Sequence, residues 1–132
     1  MTYKVIISNT KHTFPLKGLN ELLGGRMYDY RTKKYHNAVK SSNDSICLRA
    51  IKKRMNGVRI KNPIRCTFYI YAQNKRHDRG NLYCSVEKSL LDALQLAKVI
   101  DSDKWDNVLD STFHTYVSNE NPRIEVEIEE VY

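Results

Sequence analysis

One stretch of this chain leaves little choice of conformation. Ile64–Ala72 (IRCTFYIYA) alternates without interruption, with Ile64, Cys66, Phe68, Ile70 and Ala72 at one parity and Arg65, Thr67, Tyr69 and Tyr71 at the other. Successive side chains of a strand point to opposite faces, so a period of two specifies a strand with one apolar face that has to be covered. The cover is legible downstream. In Cys84–Lys98, the residues Val86, Leu90, Ala93, Leu94 and Ala97 fall on one helical stripe, the pattern of a helix lying on a sheet. A helix layer on a sheet is an α/β or α+β architecture.

Other segments extend the sheet and add a second helix. Tyr3–Ser8 (YKVIIS) reads as a short strand. Tyr35–Met55 carries Val39, Ile46, Ala50, Ile51 and Met55 at roughly helical spacing; its basic end LRAIKKRM suits a last turn, and Asn56-Gly57 supplies the stop. Asp110–Ser118 and Arg123–Val131 read as strands joined by the turn SNENP. In the last, Ile124, Val126 and Ile128 alternate with Glu125, Glu127 and Glu129, giving a core face and a charged face whose glutamates are spaced for solubility rather than catalysis. The expected fold is a single domain over residues 1–132, a mixed sheet of about four strands carrying two main helices. Strand Tyr3–Ser8 is expected beside Ile64–Ala72, and the last two strands as an antiparallel pair. The segment Asn9–Lys34 is long for a loop and rich in Lys, Arg, Gly and Tyr, which marks it as functional or partner-covered.

At 132 residues the chain can bury a core without disulfides or a structural metal. Cys47, Cys66 and Cys84 are odd in number, far apart and in no C-x-x-C pattern, which disfavours a secreted disulfide scaffold or a zinc site and makes a reducing cytoplasm the expected compartment. The opening MTYKVIISNTKH lacks the form of a signal peptide, and no apolar run is long enough to span a bilayer.

Charge is lopsided. Residues 1–80 hold 18 of the 22 Lys and Arg and four of the 15 acids, a balance of +14, whereas residues 81–132 carry −7. A basic surface of that density attracts polyanions, DNA or RNA first among them, although a solvated face that keeps a small protein soluble has the same composition. The acids concentrate around positions 78–110 and in the final strand. A negative cluster in a positive surround suits a metal-dependent nuclease, with cations for the phosphate backbone and carboxylates for the metal. No nucleotide cofactor is expected: neither G-x-G-x-x-G nor a P-loop lysine is present, and Gly24-Gly25 lacks the rest of either motif.

The chemistry concentrates in QNKRHDRGNLY, between the long strand and the helix that follows. Lys75, Arg76, His77, Asp78, Arg79 and Asn81 crowd together at a strand's end, where rigid scaffolds present functional groups. The ordinary alternative is a polar loop ending in a helix cap, since Asp and Asn are preferred there. Past that helix, Val99-Ile100-Asp101-Ser102-Asp103-Lys104-Trp105-Asp106 sets three acids. Mg²⁺ takes carboxylate oxygens and waters, so Asp78 with one or two of these acids suffices if the helix returns the chain so that they meet. On the strand, Tyr69 and Tyr71 with Arg65 and Thr67 offer a stacking surface for bases, or a packing surface for a helix or a second subunit.

From Asn74 to Val108 the chain resembles the RusA family of Holliday-junction resolvases, small homodimeric endonucleases marked by D-x-D-N, a helix with Lys and L-D-A-L, and an acidic pair after a V-I step. The corresponding residues are Asp78-Arg79-Gly80-Asn81, then Glu87-Lys88-Ser89-Leu90-Leu91-Asp92-Ala93-Leu94, then Val99-Ile100-Asp101-Ser102-Asp103. Leu16–Arg26 (LKGLNELLGGR) is similar, more weakly, to the family's N-terminal L-N-x-x segment. The resemblance implies that Asp78 and Asp103 are Mg²⁺ ligands, that Lys88 is the helix lysine required for cleavage, and that Asn81 closes the acidic motif. One position departs from the pattern: the family's second aspartate falls at Gly80. Glu87 substitutes for it, Asp101 serves instead, or the protein binds junctions without cutting them. Projected at about 100° per residue, Glu87 falls at the edge of the apolar stripe near Leu91 and Leu94, with Lys88 further round.

The implied function is a Mg²⁺-dependent endodeoxyribonuclease, with Mn²⁺ as a possible substitute, that resolves four-way DNA junctions by paired nicks in recombination and repair, a type common in phages and prophages. A C₂ homodimer would present two sites to two opposed strands. Asp78, Asp103 and Glu87 would hold metal, with Asp101 in reserve, and Lys88 would lie at the scissile phosphate. Lys75, Arg76, Arg79 and Arg65 would grip backbone phosphates. His77 in the same loop has a pKa suited to proton transfer, or simply hydrogen-bonds its neighbouring aspartate. Two other classes stay open: a non-catalytic nucleic-acid-binding module, and a basic interaction protein that meets a protein partner through the aromatic strand and the N-terminal loop.

Overall fold

In the computed structural model of the chain, residues 1–8, 13–18, 26–76 and 78–132 are described, the side chains of 26, 28, 29 and 34–36 excepted. The alternating segment is a strand, Ile64–Ala72, fourth in chain order and labelled β4. Its Ile64, Cys66, Phe68 and Ile70 are fully buried, while Arg65 is exposed and Thr67, Tyr69 and Tyr71 are half-buried. Before it come β1 (Thr2–Ile7), the short hairpin strands β2 (Arg26–Asp29) and β3 (Lys34–Asn37), and helix α1 (Ala38–Met55); after it come α2 (Arg79–Leu96), β5 (Val108–Val117) and β6 (Arg123–Glu130). The main sheet has the order β1-β6-β4-β5, with only β4 and β5 parallel, and β2 and β3 form a two-stranded sheet of their own. The domain is therefore α+β, a four-stranded mixed sheet with two helices on it.

Strand order corrects two expectations. β1 does not lie beside β4, and β5 and β6 do not pair: β6 enters the middle of the sheet, antiparallel to β1 on one edge (Val5 opposite Val126) and to β4 on the other (Phe68 opposite Val126). The reason is the β4-α2-β5 crossover. A helix of 18 residues brings the chain back to the start of β4, so the next strand runs parallel to β4 along one edge and leaves the other edge to the C-terminal strand.

Both helices cover the apolar face. α2 buries Leu82, Val86, Leu90, Ala93 and Leu94, and its Tyr83 stacks on Phe113 of β5 (centroids 4.5 Å), which stacks in turn on Phe68 (4.9 Å). It starts earlier than its apolar stripe suggests, because Asp78 caps it: the Asp78 Oδ1 accepts a hydrogen bond from the Asn81 N–H at 3.2 Å. α1 likewise starts at Ala38 rather than Tyr35, where the Asn37 side chain accepts from the Lys40 N–H at 3.0 Å, and it stops before Gly57 (φ +78°). Its buried row is Asn43, Cys47, Ile51 and Met55, with Ile46, Val39 and Ala50 only half-buried. Asn43 is buried because it works as a clamp: its Nδ2 donates to the Lys17 carbonyl and its Oδ1 accepts from the Lys17 N–H, both at 2.9 Å. Among the described residues no helix is long and apolar enough to cross a membrane.

Candidate functional site

The loop at the end of β4 presents the predicted cations. Lys75, Arg76, Asp78 and Arg79 are exposed, and among the described residues none of the three cations makes an ion pair. The loop is held by Asn74, whose Oδ1 accepts from the Arg76 N–H at 2.9 Å. His77 lies outside the described residues. Asp78 spends one oxygen on the helix cap, the ordinary role weighed for it, and its other oxygen faces no described donor. Asn81, at the third helical position, packs so closely on the N-terminal segment that a Cβ at Gly18 would come within 2.7 Å of its Nδ2, so a larger residue there requires the Asn81 amide to move. At Gly80 a Cβ would meet just the Asp78 Oδ1, at 3.5 Å, an ordinary contact, so a Cβ has room there.

The other predicted acids are elsewhere. Asp101 and Asp103 follow the far end of α2, both exposed, where the Ile60 N–H donates to the Val99 carbonyl at 2.7 Å and Arg59 approaches Asp101 at 3.9 Å. The helix does return the chain beside β4, and for that reason it separates the acids: 18 residues at 1.5 Å each put its two ends about 27 Å apart. Glu87, half-buried, sits midway, close enough to the Cys66 thiol to add to the burial that pushes that thiol up to about 12. Among the described residues no three His, Cys, Asp or Glu side chains gather as a metal site would require. Asp78, Asp103, Asp101 and Glu87 therefore do not meet within one chain.

Lys88 and Arg65 are also engaged away from Asp78. Lys88 reaches toward Asp92 (3.9 Å), which is bonded to Lys40 of α1 (2.9 Å), itself 2.6 Å from Asp44. Burial opposes the Lys40 charge, but hydrogen bonds to Asp44 and then Asp92 outweigh it and hold the ammonium above the usual lysine range. This bridge ties the two helices together. Arg65, at the start of β4, donates from Nε to both oxygens of Asp110 at 3.0 Å. It lies at the opposite end of the strand from Lys75, so the two do not grip one stretch of backbone.

No described helix lies on the second sheet face. There Tyr69 stacks on His114 (5.3 Å), Tyr71 on Tyr116 (5.1 Å), and the Arg123 guanidinium sits 3.8 Å over the Tyr71 ring. Beside them run the β6 glutamates. Glu125 bonds Lys4 and Arg123, each at 2.7 Å, and these partners, the Lys4 hydrogen bond foremost, hold its carboxyl below the usual range. A polyanion laid across this face meets Glu127 and Glu129 as well, which disfavours it as the main DNA path.

Sequence patterning also missed a cleft of about 530 Å³ at the carboxyl ends of β4 and β5, lined by Ala72, Asn74, Lys75, Arg79, Leu82 and Val117. β5 (VLDSTFHTYV) is polar at both parities, so neither its register nor the inward side of Val117 is legible before folding. Trp105, next to the acidic turn and 90% exposed, was equally unreadable. No family model matches this chain, and no curated protein does.

Proposed function

We propose that this chain is a divalent-metal-dependent endodeoxyribonuclease selective for four-way DNA junctions, working as a homodimer. One observation carries it: the segment that resembles the RusA family forms one unit of strand end, capped helix and acidic turn, with three cations around Asp78 that make no ion pair among the described residues. Lys75, Arg76 and Arg79 hold phosphates on either side of the cut and oppose the negative charge that builds on phosphoryl oxygens as water attacks. Mg²⁺ or Mn²⁺ would supply Lewis acidity.

The donors of one chain do not fit such an ion, since Asp78 and Asp103 stand at opposite ends of α2. Two copies with their α2 helices antiparallel resolve this, because a two-fold axis then sets Asp78 of one protomer beside Asp103 of its partner at each of two sites. The exposed Trp105 beside Asp103 suits such a contact. A non-catalytic junction-binding module is the second reading, favoured by the glycine at position 80 and the dispersed acids.

The test is cleavage of a labelled four-way junction beside linear duplex of the same sequence, in Mg²⁺ or EDTA, with Asp78→Asn and Asp103→Asn. Symmetric nicks at the junction alone, absent in EDTA and in each variant, are expected. Mixing the two inactive variants should restore nicking, because a mixed dimer regains one intact pair of acids. Tight junction binding without cutting in either metal would leave the binding module.

A further inference from the structure

We propose that the cleft at the carboxyl ends of β4 and β5 receives one unstacked nucleotide of a DNA strand, its base on the apolar floor and its phosphates against Lys75 and Arg79. This rests on the chain being a DNA-binding protein and adds what it recognises at a branch point. Ligands of open α/β sheets bind outside the carboxyl ends of the strands, where the flanking loop and helix start converge. The cleft's volume of about 530 Å³ falls among those of small-molecule sites, which run from about 300 to 1,000 Å³.

Its chemistry is divided as a nucleotide's is. The floor is Ala72, Leu82 and Val117, the last half exposed. The Thr115 hydroxyl on one wall is bonded to the Tyr83 hydroxyl and so does not compete for a ligand. The rim is cationic, Lys75 and Arg79 having no ion-pair partner among the described residues, and the Asn74 amide beside them can donate to a base edge. Arg76 continues the row of cations out of the cleft, which favours a nucleotide within a strand over a free one. A base at a branch point has already lost a stacking neighbour, so moving it into a pocket costs less there than within a duplex.

Fluorescence anisotropy of the full chain in EDTA tests this without requiring cleavage. Two short labelled DNA strands are compared, one carrying a single central base and the other wholly abasic. The wild type should bind the first about 10-fold more tightly, the scale of burying about 55 Å² of apolar base surface on the aliphatic floor. Val117→Trp, which fills the cleft from its exposed edge, should bind both equally, and at the strength with which the wild type binds the abasic strand. That coupling does not arise from misfolding, since phosphate contacts persist. Lys75→Ala with Arg79→Ala should weaken both and flatten the salt dependence. A base preference that survives Val117→Trp, or no preference in the wild type, overturns the proposal. So does a free deoxynucleoside monophosphate binding as tightly as the one-base strand. Junction cleavage with no base preference removes the cleft and leaves the nuclease; base preference without junction binding or cutting does the reverse.

Discussion

Gly80→Asp returns a carboxylate to the position where the resolvase pattern has one, and the structure sets its consequences. In a helix, i and i+2 do not face each other, but Asp78 is the cap and folds back over the first turn, which brings its Oδ1 to 3.5 Å from where the new Cβ would be. Without metal three effects nearly cancel. Replacing a helical glycine gains about 0.3 kcal/mol. A first-turn carboxylate gains about 0.5 kcal/mol from the helix dipole. Two carboxylates about 5 Å apart in water repel by about 0.8 kcal/mol. With Mg²⁺ at ten times its dissociation constant, linkage adds about 1.4 kcal/mol. For a domain of this size that is a rise in Tm of about 5 °C. Thermal melts in EDTA and in Mg²⁺ should therefore show a variant close to wild type without the ion and distinctly stabilised with it, and junction cleavage should accelerate. A variant that melts alike in both buffers and cuts no faster would refute the assignment of this helix start as a cation site.

Other outcomes follow from the same structure. With a thiol reagent at pH 8, Cys84 should react quickly, while Cys47 and Cys66, buried and pushed up to about 12, should react only on unfolding. Glu125→Gln should lower the urea midpoint at neutral pH, and the gap from wild type should close as pH falls through the depressed Glu125 pKa; the contribution of a carboxyl lowered by Lys4 and Arg123 is present above its unfolded value and lost in acid. Asn43→Leu should cost about 1–3 kcal/mol in denaturant unfolding, because the Lys17 N–H and carbonyl lose their partners.

Most of the elements were legible, and their arrangement was not. The alternation of β4 and the stripe of α2 are local periods, and each survives folding unchanged because the buried face it specifies is the one the core uses. The α1 row was obscured by Asn43, a polar side chain that is buried for the bonds it makes to a segment 26 residues away. The cap at Asp78 is one of the two roles its sequence position allows, and the cations beside it are exposed.

By itself, then, the sequence determined the strands β1, β4, β5 and β6 and the two helices, the buried faces of β4, β6 and α2, and where positive charge collects, since these depend on neighbours a few positions apart; the β2–β3 hairpin falls where the sequence reads as a loop and a helix start. Only the tertiary structure decided that β6 lies between β1 and β4 and that Arg65 is spent on Asp110. Those outcomes depend on partners far along the chain. The same return of a helix along its strand that makes the β4-α2-β5 unit compact also carries the two acids apart.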